Sequence, residues 1–203
     1  MGADALRLYE TFMGPLEKEK VWNEASVHGC RRFLQRFYET VCSDKVSEEE
    51  SDDALKLGYR LVDGVAKDIE GMLLNTAIAK MMEFMNAFVR LKTYPRSVLK
   101  MAAQVLAPFA PHLAEEMWEV LGMEGSVVEA PYPNVIQKYL EDDTVTYVFQ
   151  VNGKLRGRVE MPKDLGKEEV LSLAQNDENV SKHIKGEVKK LIFIPNKLLN
   201  FVI

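Results

Sequence analysis

The stretch LLNTAIAKMMEFMNAFVRL, residues Leu73–Leu91, is apolar over most of a helical surface. Its apolar residues recur every three or four positions on two adjoining faces. The remaining polar strip is narrow and consists of Thr76, Lys80, Glu83 and Arg90. A helix of this kind is stable when other helices surround it. The pattern therefore predicts a central core helix, with Asn75 as its N-cap and further helices on both sides in the sequence.

Helical patterns do flank this stretch. Three precede it, over residues 3–13, over residues 22–41, and from the acidic segment 47–53 to Gly71. Two follow it, one from Tyr94-Pro95 to Ala107 and one from His112 to Gly122, and proline suits a first helical turn. Short intervals between helices favour antiparallel neighbours. We therefore expect an all-α helical bundle over residues 1–128.

The remaining sequence predicts a linker and a small second domain. Residues 129–143, EAPYPNVIQKYLEDD, contain two prolines and no clear period, which is typical of a linker. After this segment the hydrophobic period changes from about 3.6 to 2. Asn152-Gly153 lies between two runs of alternating residues and is a strong hairpin signal. Two short helical patterns and two further strands follow, at 166–175, 177–184, 187–194 and 198–202. Residues 144–203 are thus predicted to form a small α+β module in the order ββααββ.

The hairpin loop can contain two or three residues. A two-residue loop pairs Val151 with Lys154 and places the apolar residues of the first strand on the same face as the cations of the second. A three-residue loop pairs Gln150 with Lys154 and separates the two sets. Because a slip of one residue inverts every side chain, we predict the three-residue loop, with Gly153 left-handed in a G1 bulge.

Composition and charge limit the class of protein. The chain has no run of about 18 apolar residues and no signal-peptide pattern, so we expect a soluble cytoplasmic protein without a membrane partner. Cys30 and Cys42 fit no zinc spacing and are expected to be reduced. Residues 1–143 carry 16 basic and 24 acidic side chains, a net charge of −8, whereas residues 144–203 carry 10 and 7, or +3. This asymmetry indicates two modules with different partners.

Patterns typical of catalytic and metal sites are absent from the sequence. It contains no glycine-rich phosphate loop, no His-x-x-x-His and no Cys-x-x-Cys. His28, His112 and His183 are far apart, and none lies beside a candidate nucleophile and acid. The adjacent carboxylates Glu115 and Glu116 would point about 100° apart on a helix. We therefore predict no catalytic residue, metal or cofactor site in this chain.

Cationic side chains form three groups that suit phosphate binding. The groups are Arg31, Arg32 and Arg36; Arg90, Lys92, Arg96 and Lys100; and Lys154, Arg156 and Arg158. The third group has strand spacing, with residues two apart separated by about 6.8 Å. The arginine fork binds phosphate through two hydrogen bonds. A solvated surface explains each group about equally well, so RNA binding and a helical protein-interaction module without an RNA role remain alternatives.

Several motifs resemble a known family. LAPFAPHLAEEMWEVLG, residues 106–122, resembles the helical anticodon-binding domain of class I aminoacyl-tRNA synthetases for branched aliphatic amino acids. GADALRLYETFMGPLE, QVNGKLRGRVEMP and the final IPNKLLNFVI resemble leucyl-tRNA synthetases within that class. Isoleucyl- and valyl-tRNA synthetases, the alternative, share the bundle motif but not this terminal module. The resemblance covers essentially the whole chain.

The resemblance implies the C-terminal part of a leucine–tRNA ligase, separated from the catalytic core of the same protein, because HIGH and KMSKS motifs are absent. The full-length enzyme would join leucine to tRNA(Leu) with ATP and magnesium, through leucyl-adenylate. This part would dock tRNA as a monomer, the bundle along the anticodon stem and the module at the tRNA corner. The implied RNA-binding residues are Arg32, Arg36, Arg90, Arg96, Lys154, Arg156, Arg158 and Lys197.

Overall fold

The computed structural model describes residues 2–14, 21–141, 144–184 and 188–203. The chain divides into two compact units, Met1–Leu140 and Glu141–Ile203. The first unit is mainly helical, and the second contains a four-stranded sheet with two helices. The predicted fold class, a helical bundle followed by a small α+β module, is confirmed.

The first unit contains six described α-helices. They are α1 (Ala3–Phe12), α2 (Glu24–Val41), α3 (Asp52–Glu70), α4 (Leu74–Phe88), α5 (Arg96–Leu106) and α6 (Pro111–Val120). Two short strands, β1 (Val46–Ser47) and β2 (Tyr94–Pro95), pair in parallel between the helices. A single 3-10 turn, Gln137–Tyr139, follows α6. None of the helices in the described ranges is long and apolar enough to span a membrane.

Helix α4 is the central helix of this unit, as its sequence predicts. Its inward side chains are almost completely buried: Ala77, Ile78, Met81, Phe84, Met85 and Phe88. It packs against α1, α2 and α3. The predicted N-cap was wrong, because the helix begins at Leu74 and has no side-chain cap. The preceding turn is tight, with Met72 left-handed and the Leu73 amide donating to the Asp68 carbonyl at 2.7 Å, so the helix starts before Asn75 can cap it.

Helix α1 is held to the start of α6 by polar contacts. Ala110 precedes α6 and has no side chain that could accept a hydrogen bond from the first turn. The buried Asp4 of α1 takes this role, since its Oδ2 accepts from the Leu113 amide at 2.8 Å and its Oδ1 lies 2.7 Å from His112 Nδ1. Arg7 Nη2 donates to the Pro108 carbonyl at 3.1 Å. Asp4 is therefore an N-cap supplied by a distant helix.

Replacing Asp4 with alanine is expected to lower the free energy of unfolding of the helical unit by about 1–2 kcal/mol, because α6 loses its cap. Asp4→Asn keeps an acceptor oxygen and should lose less. The measurement is urea unfolding followed by tryptophan fluorescence, since both tryptophans, Trp22 and Trp118, lie in this unit. The exposed Glu83→Ala serves as the control. An Asp4→Ala variant as stable as this control would contradict the capping role.

Residues 129–140 pack on the bundle, whereas the sequence predicted a linker over residues 129–143. Tyr132 donates its hydroxyl to the Val62 carbonyl at 3.0 Å, and Tyr139 stacks on Tyr59 with ring centroids 5.1 Å apart. Burial, with a contribution from Asp63, raises the pKa of Tyr132 to about 12. These contacts come from isolated aromatic side chains on an irregular backbone, which leaves no period in the sequence. The helical unit thus extends to Leu140 rather than to residue 128, and residues 142 and 143 lie outside the described ranges.

The second unit is an α+β module. Its elements are β3 (Thr144–Val151), β4 (Lys154–Pro162), α7 (Lys167–Asn176), α8 (Glu178–Ser181), β5 (Lys190–Ile194) and β6 (Leu198–Val202). The strand order is β4-β3-β6-β5, with β3 and β6 parallel and the other neighbours antiparallel. The core of the unit includes Tyr147, Phe149, Leu199 and Phe201 from the sheet and Val170, Ala174 and Val180 from the helical segment. The helices therefore cover one face of the sheet.

Candidate nucleic-acid interface

The β3–β4 hairpin has a shorter loop than the sequence predicted. Asn152 and Gly153 form a two-residue loop with φ angles of 50° and 73°, and Val151 pairs with Lys154. The left-handed conformation predicted for Gly153 is confirmed, whereas the three-residue loop is wrong. Asparagine and glycine both tolerate positive φ, and a turn of this type matches the twist of paired strands. The tight loop is therefore favoured locally.

A bulge in β4 restores the register that the hydrophobic pattern requires. Gln150 pairs with Leu155, but its neighbour Phe149 pairs with Gly157, which leaves Arg156 as the extra residue. Beyond the bulge the pairs are Phe149–Gly157, Tyr147–Val159 and Val145–Met161, two residues further along β4 than a three-residue loop would give, so Gly157 and Val159 keep their predicted face. Burial of the apolar residues thus determines the register through a bulge rather than through the loop.

The predicted single row of Lys154, Arg156 and Arg158 is consequently wrong. Residues paired across strands project to the same face of a sheet. Lys154, opposite the buried Val151, belongs to the face that the helices cover, whereas Arg158, opposite Val148, belongs to the other face. Arg156 is half-buried in the bulge, and its Nε has no hydrogen-bond partner in the described part of the chain. The bulge therefore separates the three cations.

The face of the sheet opposite the helices, here called the open face, carries two rows of side chains across all four strands. The first row is Arg158, Val148, Leu198 and Ile194. The second row is Leu155, Gln150, Asn200 and Ile192. Lys197 immediately precedes the first row on β6, and its carbonyl accepts from the Val148 amide at 3.0 Å. Arg158 and Lys197 are both exposed, and their backbones lie two strands, or about 10 Å, apart.

In the helical unit, Arg32 and Arg36 lie one turn apart on α2, beside a groove of about 680 Å³. The groove lies between α1, α2 and α4, and Phe33 belongs to its apolar lining. Arg32 is exposed, and Arg36 Nη2 donates to Asn86 Oδ1 at 3.0 Å. The structure thus brings two of the predicted RNA-binding arginines together on one face.

Arg90 and Arg96 flank the connection between α4 and α5 but have different environments. Arg90 is exposed. Arg96 is half-buried, with its Nε 2.5 Å from Glu48 Oε1 and its Nη1 donating to the Leu121 carbonyl at 2.7 Å. With its Nε beside a carboxylate and its Nη1 bonded to a carbonyl, this guanidinium has less charge and fewer donors left for a phosphate. Arg96 therefore has a role within the bundle that the sequence did not indicate.

Comparison with protein families agrees with the resemblance to an anticodon-binding domain that the motifs indicated. The family model described as the anticodon-binding domain of tRNA ligase matches residues 53–171, more than half of the chain. The chain belongs to this anticodon-binding family.

The most similar curated relatives include leucine–tRNA ligases. Those of Protochlamydia amoebophila and Chlamydia caviae are 60% and 53% identical over 203 residues, which is 100% of this chain and 24% of each relative. This chain thus spans about a quarter of the length of the relatives it matches. The resemblance to leucyl-tRNA synthetases inferred from the motifs is confirmed.

A solved structure shares the fold. It is the crystal structure of a ternary complex of Agrobacterium radiobacter K84 agnB2 LeuRS with tRNA and LeuAMS. The TM-score is 0.80 over 99% of this chain and 29% of that chain, at 24% sequence identity. At this identity the likeness establishes the fold alone.

The aliphatic character of the open face was not predicted from the sequence. The predicted three-residue loop, with Gln150 opposite Lys154, would place Leu155 opposite Phe149 on the core face. Leu155 is instead opposite Gln150 and exposed, because the bulge lies after it. The strands β5 and β6, KLIFI and LLNFV, did carry a signal, since consecutive apolar residues make both faces of a strand apolar.

Metal-binding side chains do not cluster in the described ranges. No three His, Cys, Asp or Glu residues there come together as a possible metal site. Glu115, one of the adjacent carboxylates considered above, contacts the Ser126 hydroxyl and accepts from the Val127 amide at 3.1 Å. These hydrogen bonds, the one from Ser126 first, lower the pKa of Glu115. Its carboxylate thus holds the segment after α6 against that helix.

Proposed function

We propose that this chain is the tRNA-docking part of a leucine–tRNA ligase. The observation that carries the proposal is the 60% identity to such a ligase over all 203 residues. In the full-length protein, leucine would be joined to tRNA(Leu) with ATP through leucyl-adenylate. The catalytic core, with the sites for ATP and magnesium, would lie in the part of the protein that this chain does not include. We further propose that the protein is a cytoplasmic monomer.

The arrangement of cations supports tRNA docking. Exposed arginines on the helical unit include Arg32 and Arg90, and Arg36 lies one turn from Arg32. The α+β module exposes Arg158 on its open face and Lys197 in the turn that precedes β6, within a segment of net charge +3. Lysine and arginine contacts to phosphates supply affinity and orientation but little sequence information.

Two of the implied RNA-binding residues are less accessible than the others. Arg96 is left out of the proposed contacts, because its guanidinium is bound to Glu48 and Leu121. Arg156 is retained only as a cation inside the bulge, and Lys154 as an exposed cation at the hairpin end. The proposed docking surface therefore consists of separate cations on two units rather than of one continuous row.

We expect the chain to bind tRNA(Leu) with an affinity that falls steeply as salt rises. Each neutralised phosphate contributes about 0.7–0.9 to the slope of log affinity against log salt, so four contacts weaken binding roughly 100-fold between about 50 and 200 mM salt. Fluorescence anisotropy with labelled tRNA at several salt concentrations measures the slope. A non-cognate tRNA should show a similar slope, because phosphate contacts are independent of sequence.

The alternative function, a helical protein-interaction module, makes the opposite prediction. Such a module would bind tRNA weakly or not at all, and its affinity would not follow the salt concentration. Either result would exclude tRNA docking by this chain.

A further inference from the structure

Two strands form the edges of the four-stranded sheet, and they differ in how the edge is protected. The order β4-β3-β6-β5 makes β4 one edge and β5 (Lys190–Ile194) the other. Natural proteins protect an open edge with charges, bulges or prolines, because its unpaired backbone groups can pair with another chain. Strand β4 has such protection, since it contains the bulge and carries Lys154, Arg156 and Arg158. Strand β5 pairs without a register shift and contains four consecutive apolar residues, Leu191–Ile194.

The backbone of β5 directs two of its residues away from the sheet. The Asn152 amide donates to the Phe201 carbonyl at 2.8 Å, so Phe201 of β6 directs its backbone groups toward β3 and away from β5. Its partner on β5, Leu191, therefore belongs to a pair that exchanges no hydrogen bonds, and its N–H and C=O point away from β6. Phe193, two residues further on, has the same orientation. These two N–H and two C=O groups have no hydrogen-bond partner in the described ranges.

The side chains of β5 offer apolar surface on both faces of the sheet. Ile192 and Ile194 are 37% and 41% exposed on the open face. Leu191 and Phe193 lie on the face that the helices cover, and each is only partly buried although its partner on β6 is buried. Side chains of neighbouring strands pack against each other on each face of a sheet. An added strand with apolar side chains would therefore bury surface on both sides of this edge.

The charge beside this edge indicates the kind of partner. Residues 188–203 contain three lysines, Lys189, Lys190 and Lys197, and no acidic residue. All three lysines are exposed. A second copy of this chain, paired symmetrically through β5, would bring two such groups of lysines together. RNA can neutralise lysines, but it has no backbone amides and carbonyls with which to continue a β-ladder. The edge therefore favours an extended acidic segment of another protein.

We propose that β5 binds an extended acidic segment of another protein, which joins the sheet as a fifth strand. The backbone of this segment pairs with the outward groups of Leu191 and Phe193, and its alternate apolar side chains extend both faces of the sheet. Its carboxylates lie near Lys189 and Lys190. Pro195 ends the pairing, because its nitrogen carries no hydrogen to donate, so the paired part is about five residues long. This binding goes beyond tRNA docking and does not require it.

Amide hydrogen exchange, followed by NMR on the 203-residue chain, tests whether the edge is open. The amide of Ile192 faces β6, whereas those of Leu191 and Phe193 face away from it. We expect the two outward amides to exchange roughly tenfold faster than that of Ile192, because no backbone hydrogen bond protects them. Equally slow exchange at all three positions would mean that the edge is already covered, and would overturn the inference.

The probe for binding is a phage-displayed library of random peptides of about eight residues, long enough to form one strand. We expect the selected peptides to alternate apolar residues, to carry acidic residues and to lack proline. One of them is then synthesised with N-methyl groups at alternate backbone positions. Methylation of the set that faces β5 should weaken binding roughly tenfold, because two hydrogen bonds are lost, and methylation of the other set less than about twofold. Equal effects of the two sets, or no enriched peptide, would overturn the inference.

Charge reversal at the edge tests the acidic character of the partner. The chain with Lys189→Glu and Lys190→Glu should bind the same peptide roughly tenfold more weakly. The matched control is Lys154→Glu with Lys167→Glu, which changes the net charge equally but lies at the starts of β4 and α7. A double variant that binds the peptide like this control would overturn the inference. Circular dichroism verifies that both variants are folded. None of these measurements involves tRNA, so their failure leaves the proposed function unchanged.

Discussion

Replacing Phe88 with alanine is expected to lower the free energy of unfolding of the helical unit by about 3–5 kcal/mol. Phe88 is completely buried in α4, and its ring centroid lies 5.0 Å from that of Phe84 and 5.2 Å from that of Tyr94. The substitution removes both ring contacts and leaves a cavity among helices that can close only in part. Domains of this kind are stable by only about 5–15 kcal/mol in total, so the loss is a large fraction.

Urea unfolding followed by tryptophan fluorescence measures this loss, because both tryptophans belong to the helical unit. The control is Leu6→Ala in α1, since Leu6 is 44% exposed and its replacement should cost less than about 1 kcal/mol. A loss for Phe88→Ala as small as that of the control would mean that α4 is not the centre of the core.

The core of the bundle could be predicted because its signal is dense in the sequence. Apolar residues recur along α4 on two faces, and few other arrangements can bury so many of them. The packing of residues 129–140 could not be predicted, since it depends on single side chains such as Tyr132 and Tyr139 that meet the bundle far away in the sequence. Hydrophobic periodicity identifies only helices and strands, and residues 129–140 are largely irregular.

The cationic surface was harder to predict than the fold. Arg90 and Arg96 look equivalent in sequence, but Glu48 and the Leu121 carbonyl, which bind Arg96, come from distant parts of the chain. The hairpin shows the same difficulty. Its hydrophobic pattern allowed a three-residue loop or a two-residue loop with a later bulge, and the local preference of Asn152 and Gly153 favours the second. The choice moved Leu155 to the open face and Lys154 to the face that the helices cover.

Replacing Arg158 and Lys197 together with alanine is expected to weaken tRNA(Leu) binding roughly 30- to 100-fold, since each charge-assisted contact contributes more than about 1 kcal/mol. The loss of two phosphate contacts should also reduce the slope of log affinity against log salt by about 1.4–1.8. Neither side chain is buried, so the variant should remain folded. Anisotropy titrations at several salt concentrations measure affinity and slope on the same samples.

The slope distinguishes a phosphate contact from a general effect of charge. Lys167→Ala, at the start of α7, removes one exposed cation outside the open face and should change the slope little. If this control lowers the slope as much per charge as Arg158→Ala and Lys197→Ala, then RNA is attracted by the net charge of the module and not by these two side chains. A double variant with weaker binding but an unchanged slope would show that Arg158 and Lys197 act through the shape of the open face. Only a joint loss of affinity and slope assigns them to phosphates, because the slope counts the counterions that cationic side chains release from phosphates.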